Sequence, residues 1–393
     1  MNLPLEGIKV LDLTKLLPGP FCSMILADFG AEVVKIEQPG KGDYVRRYPP
    51  FNKGFGSIFL ALNRNKKSLS INLKEPAAKE IFYRLVQNAD VILEGFRPGV
   101  AKKMNIDYDT LKKINPRLIY CSISGYGQDG PYAHKPGHDV NYLGYAGVLG
   151  LTGHATVGPV LPGVQIADIG GGALMAIIGI LLSIIARRYT GKGQYVDISM
   201  LDGLISWLVP VAGSYFIDGI APGLGETRLT GKYACYGVYQ TKDGGYITLG
   251  AFEEHFWKRL CRYFGKDEYI AYQYVDEKQN ELFAFFREQF AVRDRDEWVV
   301  ALEEQDICCG PVYNLAEVFN DPQVLHRMMI SEIEHPCLGK IKQLGFPIKL
   351  SATPADLYLP PPSLGEHTEQ ILTELGYSRV QIGEYRKNGL IGG

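Results

Sequence analysis

The chain has 393 residues, 46% apolar and 21% charged, with 24 Tyr and 17 Phe, the composition of a folded globular protein that excludes a disordered or collagen-like chain. Forty-one Lys and Arg face 43 Asp and Glu, a formal charge of -2, so no global basic field exists to hold nucleic acid or an anionic membrane; any anion must be bound locally. At roughly 150 residues per domain the length predicts two or three domains.

Residues 7–13 read as a strand, 20–29 as a helix ending at Gly30, and 31–36 as a second, β-branched strand, which makes a βαβ unit. A helix over 76–88, a strand over 90–93, a helix over 108–115 and a strand over 117–122 continue the alternation. The pattern predicts an α/β fold, a parallel sheet covered by helices on both faces. Residues 170–186 carry no charge and fall just short of the length that crosses a bilayer, so they read as a buried core helix. A short strand over 195–198 follows, and the apolar run 204–217 contains Pro210 and reads as a kinked helix. From 233 to 249 the chain shows a hairpin pattern around a Lys-Asp-Gly-Gly turn, and a smaller α+β domain is expected to begin there. Amphipathic helices are expected over 254–264 and 281–305, then a Pro-rich stretch and a helical tail. Seven cysteines without C-x-x-C spacing suit neither a disulfide framework nor a zinc site. Together with acids at Glu6 and Asp12 in place of a signal peptide's apolar run, they point to the reducing cytoplasm.

Several residue groups could carry chemistry. Gly125, Gly127 and Gly130 spell G-x-G-x-x-G, but Pro131 and Pro136 follow closely and exclude the helix that would receive a pyrophosphate, so a tight turn is expected. Arg64, Lys66, Lys67, Lys74, Arg97 and Lys103 recur near predicted strand ends, where a phosphate-rich ligand would need local charge. His134 and His138 stand four apart, yet Pro136 and Gly137 between them forbid a shared helix face, and no metal site is expected. Asp168 reads as the N-cap of the apolar helix. Gly170, Gly171 and Gly172 then cost helix stability, about 1 kcal/mol each, which suggests a ligand close to the backbone and free N–H groups able to hold an oxyanion.

With these residues in hand, the chain resembles a known family. Leu17-Pro-Gly-Pro-Phe through Ala27-Asp-Phe-Gly-Ala-Glu-Val-Val-Lys-Ile-Glu, Asn63-Arg-Asn-Lys-Lys-Ser-Leu, Glu94-Gly-Phe-Arg-Pro-Gly, Ser124-Gly-Tyr-Gly-Gln-Asp-Gly-Pro and Thr190-Gly-Lys-Gly-Gln are similar to the family III CoA-transferases and α-methylacyl-CoA racemases over nearly the whole chain. The resemblance implies an acyl-CoA substrate, no prosthetic group, and an interlocked homodimer. It also implies a large Rossmann-like domain over 1–195, a helical linker over 196–230, a smaller α+β domain over 231–325, and a segment over 326–393 returning to the large domain. By the same similarity Ile71, Asn72, Leu73, Lys74, Gly95, Phe96, Arg97 and Lys103 should line the CoA site, while Gly137, Asp139, Val140, Asn141 and Tyr142 should face the acyl thioester.

The family's two chemistries use different residues. In the racemase pattern His138 and Asp168 are the acid/base pair and Glu253 supports His138; in the transferases the aspartate at 168 attacks the thioester, giving an anhydride and then an aspartyl-CoA thioester. Racemising the carbon beside a thioester needs a base on one face and an acid on the other, so two groups are required, and their pKa values must be tuned toward each other. Gln38, where racemases often carry Arg, and Val164, where they carry Asn, depart from that pattern. The expected activity is racemisation or epimerisation of a 2-methylacyl-CoA, with CoA transfer as the alternative and non-catalytic acyl-CoA binding as a third reading.

Overall fold

A computed structural model describes residues 3–392 and divides into two compact units. The first holds the chain up to 146, residues 163–207 and everything from 323 onward; the second holds 147–162 and 208–322.

The first unit is built on one parallel sheet of six strands: β1 (Lys9–Asp12), β2 (Glu32–Glu37), β3 (Lys66–Ser70), β4 (Val91–Glu94), β5 (Ile119–Ser124) and β6 (Tyr195–Ser199). Their spatial order is β6-β5-β4-β1-β2-β3. The chain builds outward from β1 to β3, then returns to the other side of β1 and builds β4 to β6. This is the expected Rossmann-like sheet, and it places a topological switch point between β1 and β4, where open α/β sheets bind ligands beyond the carboxyl ends of their strands. Both faces are covered, so β4 and β5 are buried at every residue and read as continuous apolar runs broken only by functional polar groups.

Helix α1 (Pro18–Asp28) starts on a proline, which suits a first turn whose N–H groups have no intrahelical partner, and α2 (Pro76–Gln87) repeats the device. Further on come α3 (Asp139–Tyr145), the long apolar α4 (Ala167–Thr190), and α5 (Met200–Ser206). The C-terminal segment completes the sheet edge. Ser70 N–H donates to Thr368 Oγ1 (3.1 Å), Asn72 N–H donates to Leu390 O (2.9 Å), and Ile371, Leu372, Leu390 and Ile391 join the core formed by Leu69, Ile81 and Phe82.

In the second unit α6 (Val209–Asp218) leads to a three-stranded antiparallel sheet in the order β7-β8-β9, made of β7 (Tyr236–Gln240), β8 (Tyr246–Gly250) and β9 (Cys309–Pro311). Helices α7 (Glu254–Tyr263), α8 (Gln279–Phe290) and α9 (Arg295–Glu303) enclose an aromatic core of Trp257, Phe286, Phe290 and Trp298. The hairpin falls where the Gly-Gly turn put it.

Several expectations differ in their limits. Strand β6 pairs with β5 and α5 packs against α4, so the first unit runs on to Trp207, past the expected limit at 195. Residues 147–162 belong to the second unit, and no change in composition marked that excursion. The stretch 281–305 is two helices, because Asp294 and Glu297 form a capping box that starts α9 afresh. The apolar run at 204–217 breaks at Trp207 and Leu208, and Pro210 sits in the first turn of α6, where its missing N–H costs nothing. Finally, α4 is buried along one face only: Ala176, Ile177, Ile180 and Ile184 point inward, while Leu174, Ile178, Leu182, Ile185 and Tyr189 are uncovered.

Candidate active site

The switch point is framed by the turns that follow β1 and β4. The first is held from below by buried charge: Leu16 adopts a positive φ of 68° and its N–H donates to Asp43 Oδ1 (3.0 Å). Lys35, fully buried in β2, reaches Asp43 Oδ2 at 2.9 Å and donates to Thr14 O at 2.9 Å. The second turn, Gly95-Phe96-Arg97, is anchored by Glu94, whose Oε2 accepts the Phe96 N–H at 2.6 Å. Ile71, Asn72, Leu73 and Lys74 follow the carboxyl end of β3 on the same edge of the sheet, and Lys103 lies in the short helix Val100–Lys103 beyond Arg97. Lys74, Arg97 and Lys103 are exposed and make no ion pair among the described residues, leaving their charge available to an anion.

Arg64, Lys66 and Lys67, which also suggested a phosphate site, are otherwise employed. Arg64 is buried in a bidentate pair with Asp28, and Lys67 binds Glu32 at 2.7 Å. Lys66 donates to Pro20 O and Asn63 Oδ1 and is pushed down to about 7 by burial. All three are engaged structurally: Arg64 and Lys66 are buried with partners, and Lys67 sits in a surface pair.

The acid/base residues proposed from sequence come together in part. His138 is exposed at the N-cap of α3, and its backbone N–H donates to Asn141 Oδ1 at 3.0 Å. Its neighbour Asp139 crosses to α4: one oxygen, Oδ1, accepts the N–H of Ala167 (2.7 Å) and of Asp168 (3.1 Å). The backbone at 138 is thereby fastened to the backbone at 168. Asp168 is pushed up to about 6, chiefly by burial and then by the Asp139 charge. Tyr142 packs behind the pair, so closely that a Cβ on Gly137 would fall 2.6 Å from its ring, and its hydroxyl donates to Gly137 O at 2.6 Å. Burial and the Asp168 charge push the Tyr142 phenol up to about 12, while Arg97 acts in the opposite direction; the arginine of the turn after β4 and the carboxyl at 168 are thus both within electrostatic reach of one hydroxyl. Val140 and Asn141 lie exposed on the first turn of α3.

Asp168 is not an N-cap. It lies inside the first turn of α4, whose residues Ala167–Leu174 form a π-helix, a wide and rare coil that recurs at functional sites. The glycines after it admit protein, not ligand: a Cβ on Gly170 would strike the Trp207 ring, and one on Gly171 would lie 2.5 Å from Met200 O in α5. Nor are the first N–H groups of the helix open to an oxyanion, since Asp139 takes those of Ala167 and Asp168 and Gln165 O takes that of Ile169. Gln38 is half-buried after β2 with its carbonyl in a turn to Gly42, and Val164 is exposed just before α4. Glu253 belongs to the second unit, exposed at the N-cap of α7.

Sequence reading missed the groups behind the turns. Asp12, Lys35, Asp43 and Glu94 looked like ordinary strand and loop charges. The signal that could have found them is charge inside runs otherwise destined for burial, such as Val-Val-Lys-Ile-Glu and Val-Ile-Leu-Glu.

Comparison with known proteins agrees with this architecture. Residues 5–368 match the model of CoA-transferase family III. The chain is 36% identical to human succinyl-CoA:glutarate CoA-transferase, covering 99% of this chain and 90% of that protein, and 34% identical to human alpha-methylacyl-CoA racemase, covering 98% and 97%. A crystal structure of a CAIB/BAIF family protein from Brucella suis superposes with a TM-score of 0.84 at 32% identity, over 95% of this chain and all of that one. By sequence and fold, the chain belongs to CoA-transferase family III, an enzyme family whose members act as CoA-transferases and as racemases.

Proposed function

We propose that the protein is an acyl-CoA racemase or epimerase that exchanges the α-proton of a 2-methylacyl-CoA between His138 and Asp168. The observation that carries this reading is the Asp139 bridge: it holds the His138 turn against a carboxyl whose proton affinity lies near neutrality, where a group can serve as base in one direction and acid in the other. A carboxyl at its ordinary value would be a poor proton donor at pH 7. The Lys74, Arg97 and Lys103 cations would hold the nucleotide and diphosphate, coenzyme A entering as part of the substrate with no prosthetic group needed.

The proposed proton path begins with one of the pair removing the hydrogen beside the thioester carbonyl. The resulting enolate collapses when the other, protonated beforehand, returns a proton from the opposite face. Transfer is the second reading, favoured by the 36% identity to a CoA-transferase and by the same Asp168, which when ionised can attack a thioester carbonyl and expel CoA thiolate.

We further propose that a second copy covers the uncovered stripe of α4, Leu174, Ile178, Leu182, Ile185 and Tyr189, since a contiguous exposed apolar stripe marks an interaction surface. The proposed setting is the cytoplasm, with neither nucleic acid nor membrane as partner.

In deuterated water a 2-methylacyl-CoA should gain α-deuterium with no acceptor acid present, and His138→Ala and Asp168→Ala should each slow inversion of configuration by about 100-fold or more. Label that requires a second carboxylic acid, with an Asp168 adduct cleaved by hydroxylamine, selects transfer. Sedimentation should give twice the chain mass of 43.6 kDa. Asp139→Asn keeps the acceptor oxygen and removes the charge, so Asp168 should titrate lower, by about one unit or less. The acid limb of the rate, in the direction that uses Asp168 as base, then moves to lower pH. The stability linkage runs the other way. The folded chain holds this proton more tightly than the unfolded chain, so its contribution is complete below about pH 4 and is lost as pH rises through about 6.

A further inference from the structure

Glu94 is the last residue of β4 and stands at the switch point, yet none of the chemistry above uses it. It is 3% exposed, and no Lys, Arg or His pairs with it among the described residues. Its two oxygens point in different directions. Oε2 accepts the Phe96 N–H at 2.6 Å, inside the Gly95-Phe96-Arg97 turn; Oε1 accepts the Ser122 hydroxyl from β5, and Ser122 Oγ in turn accepts the Tyr195 hydroxyl from β6 at 2.9 Å. A chain of three side chains thus runs across the neighbouring strands and ends on a backbone N–H of the turn that carries Arg97. A neutral amide would keep one acceptor, for the Phe96 N–H, and lose the second, toward Ser122. A carboxyl here is costly to bury without a cation, and such groups are seldom retained without use.

We propose that Glu94 is the positioning residue of the CoA-facing turn: its carboxylate fixes the Phe96 N–H, and with it Arg97, so that CoA affinity follows the ionisation of Glu94. This rests on the reading of Gly95-Phe96-Arg97 as a CoA contact. The groups facing Glu94 are Tyr120, Cys121 and Ser122 on β5 and Tyr195 and Asp197 on β6, none of them cationic, and Asp197 adds a like charge. Burial, and then that charge, push Glu94 up to about 7 against the Ser122 and Phe96 hydrogen bonds. An ionised acceptor holds an N–H about twice as strongly as a neutral one, so the turn is firm above neutrality and loosens below it.

The test is calorimetric titration of free coenzyme A into the full-length protein between pH 6 and 8, which leaves catalysis out. Wild type should lose affinity as pH falls through about 7, by roughly threefold to tenfold, a change equal to about 0.7–1.4 kcal/mol. Glu94→Gln keeps an acceptor for Phe96 but cannot titrate there. Its affinity should lack the loss tied to Glu94, keeping only the shallower dependence that comes from the ligand's own phosphomonoester, and match wild type at the acid end. Ser122→Ala removes a donor that favours the carboxylate, so its midpoint should move to higher pH, and it serves as the second variant should Glu94→Gln fold poorly by circular dichroism. A Glu94→Gln profile that tracks wild type, or an unmoved midpoint in Ser122→Ala, overturns the proposal while leaving the CoA reading intact. Loss of CoA binding in Arg97→Ala supports that reading separately. Absence of CoA binding by wild type at every pH overturns both.

Discussion

Two hydrogen bonds to a single carboxylate oxygen organise the candidate centre. Asp139 Oδ1 takes the N–H groups of Ala167 and Asp168, and in doing so it joins a loop rich in Gly and Pro to the start of the longest helix. Loops are free to wander and helices are not. By fastening one to the other, the bridge converts a mobile His-bearing turn into part of a rigid frame, which acid/base catalysis requires of groups that must reach the same carbon. The bridge also brings its charge close to Asp168. Geometry and proton affinity are therefore set by the same side chain, the first by its Oδ1 and the second by its charge.

The surroundings conform to that constraint. Gly137 exists because the Tyr142 ring occupies the space of a side chain, and the Tyr142 hydroxyl closes on the carbonyl of the same glycine. On the other side, α4 approaches α5 so closely that Gly171 and Gly203 leave no room for a methyl group between their backbones. The widened π-helical turn at Ala167–Leu174 carries Asp168 where these contacts converge. A buried lattice of Asp12, Lys35, Asp43 and Lys66 underlies the turn after β1, and Glu94 underlies the turn after β4. The sheet order explains why these charges gather there: the switch point is the one place where two neighbouring strands send their chains to opposite sides.

Much of this was legible from residue order alone. Alternating apolar strands and amphipathic helices announce the parallel sheet, and the motifs that begin at Leu17, Asn63, Glu94, Ser124 and Thr190 carry the family. What could not be read were relations between distant segments. Three glycines in a row look the same whether a ligand or a tryptophan approaches, and here Trp207 does. Lys66 and Lys67 are adjacent in sequence, yet β-strand alternation sends one into the core and the other to a surface pair with Glu32. The excursion of residues 147–162 into the second unit leaves no trace in composition. Spacing reports periodicity, and periodicity is blind to which partner fills the space.

The central claim is that His138 and Asp168 serve opposite faces of one carbon, and epimer-resolved exchange tests it most directly. Each pure epimer of a 2-methylacyl-CoA is incubated in deuterated water with Asp168→Asn, and α-deuterium and configuration are followed together. The account predicts that one epimer still exchanges, through His138 and with retention, while the other is inert and no inversion occurs in either. Equal exchange of both epimers by this variant, or continued inversion, would contradict it.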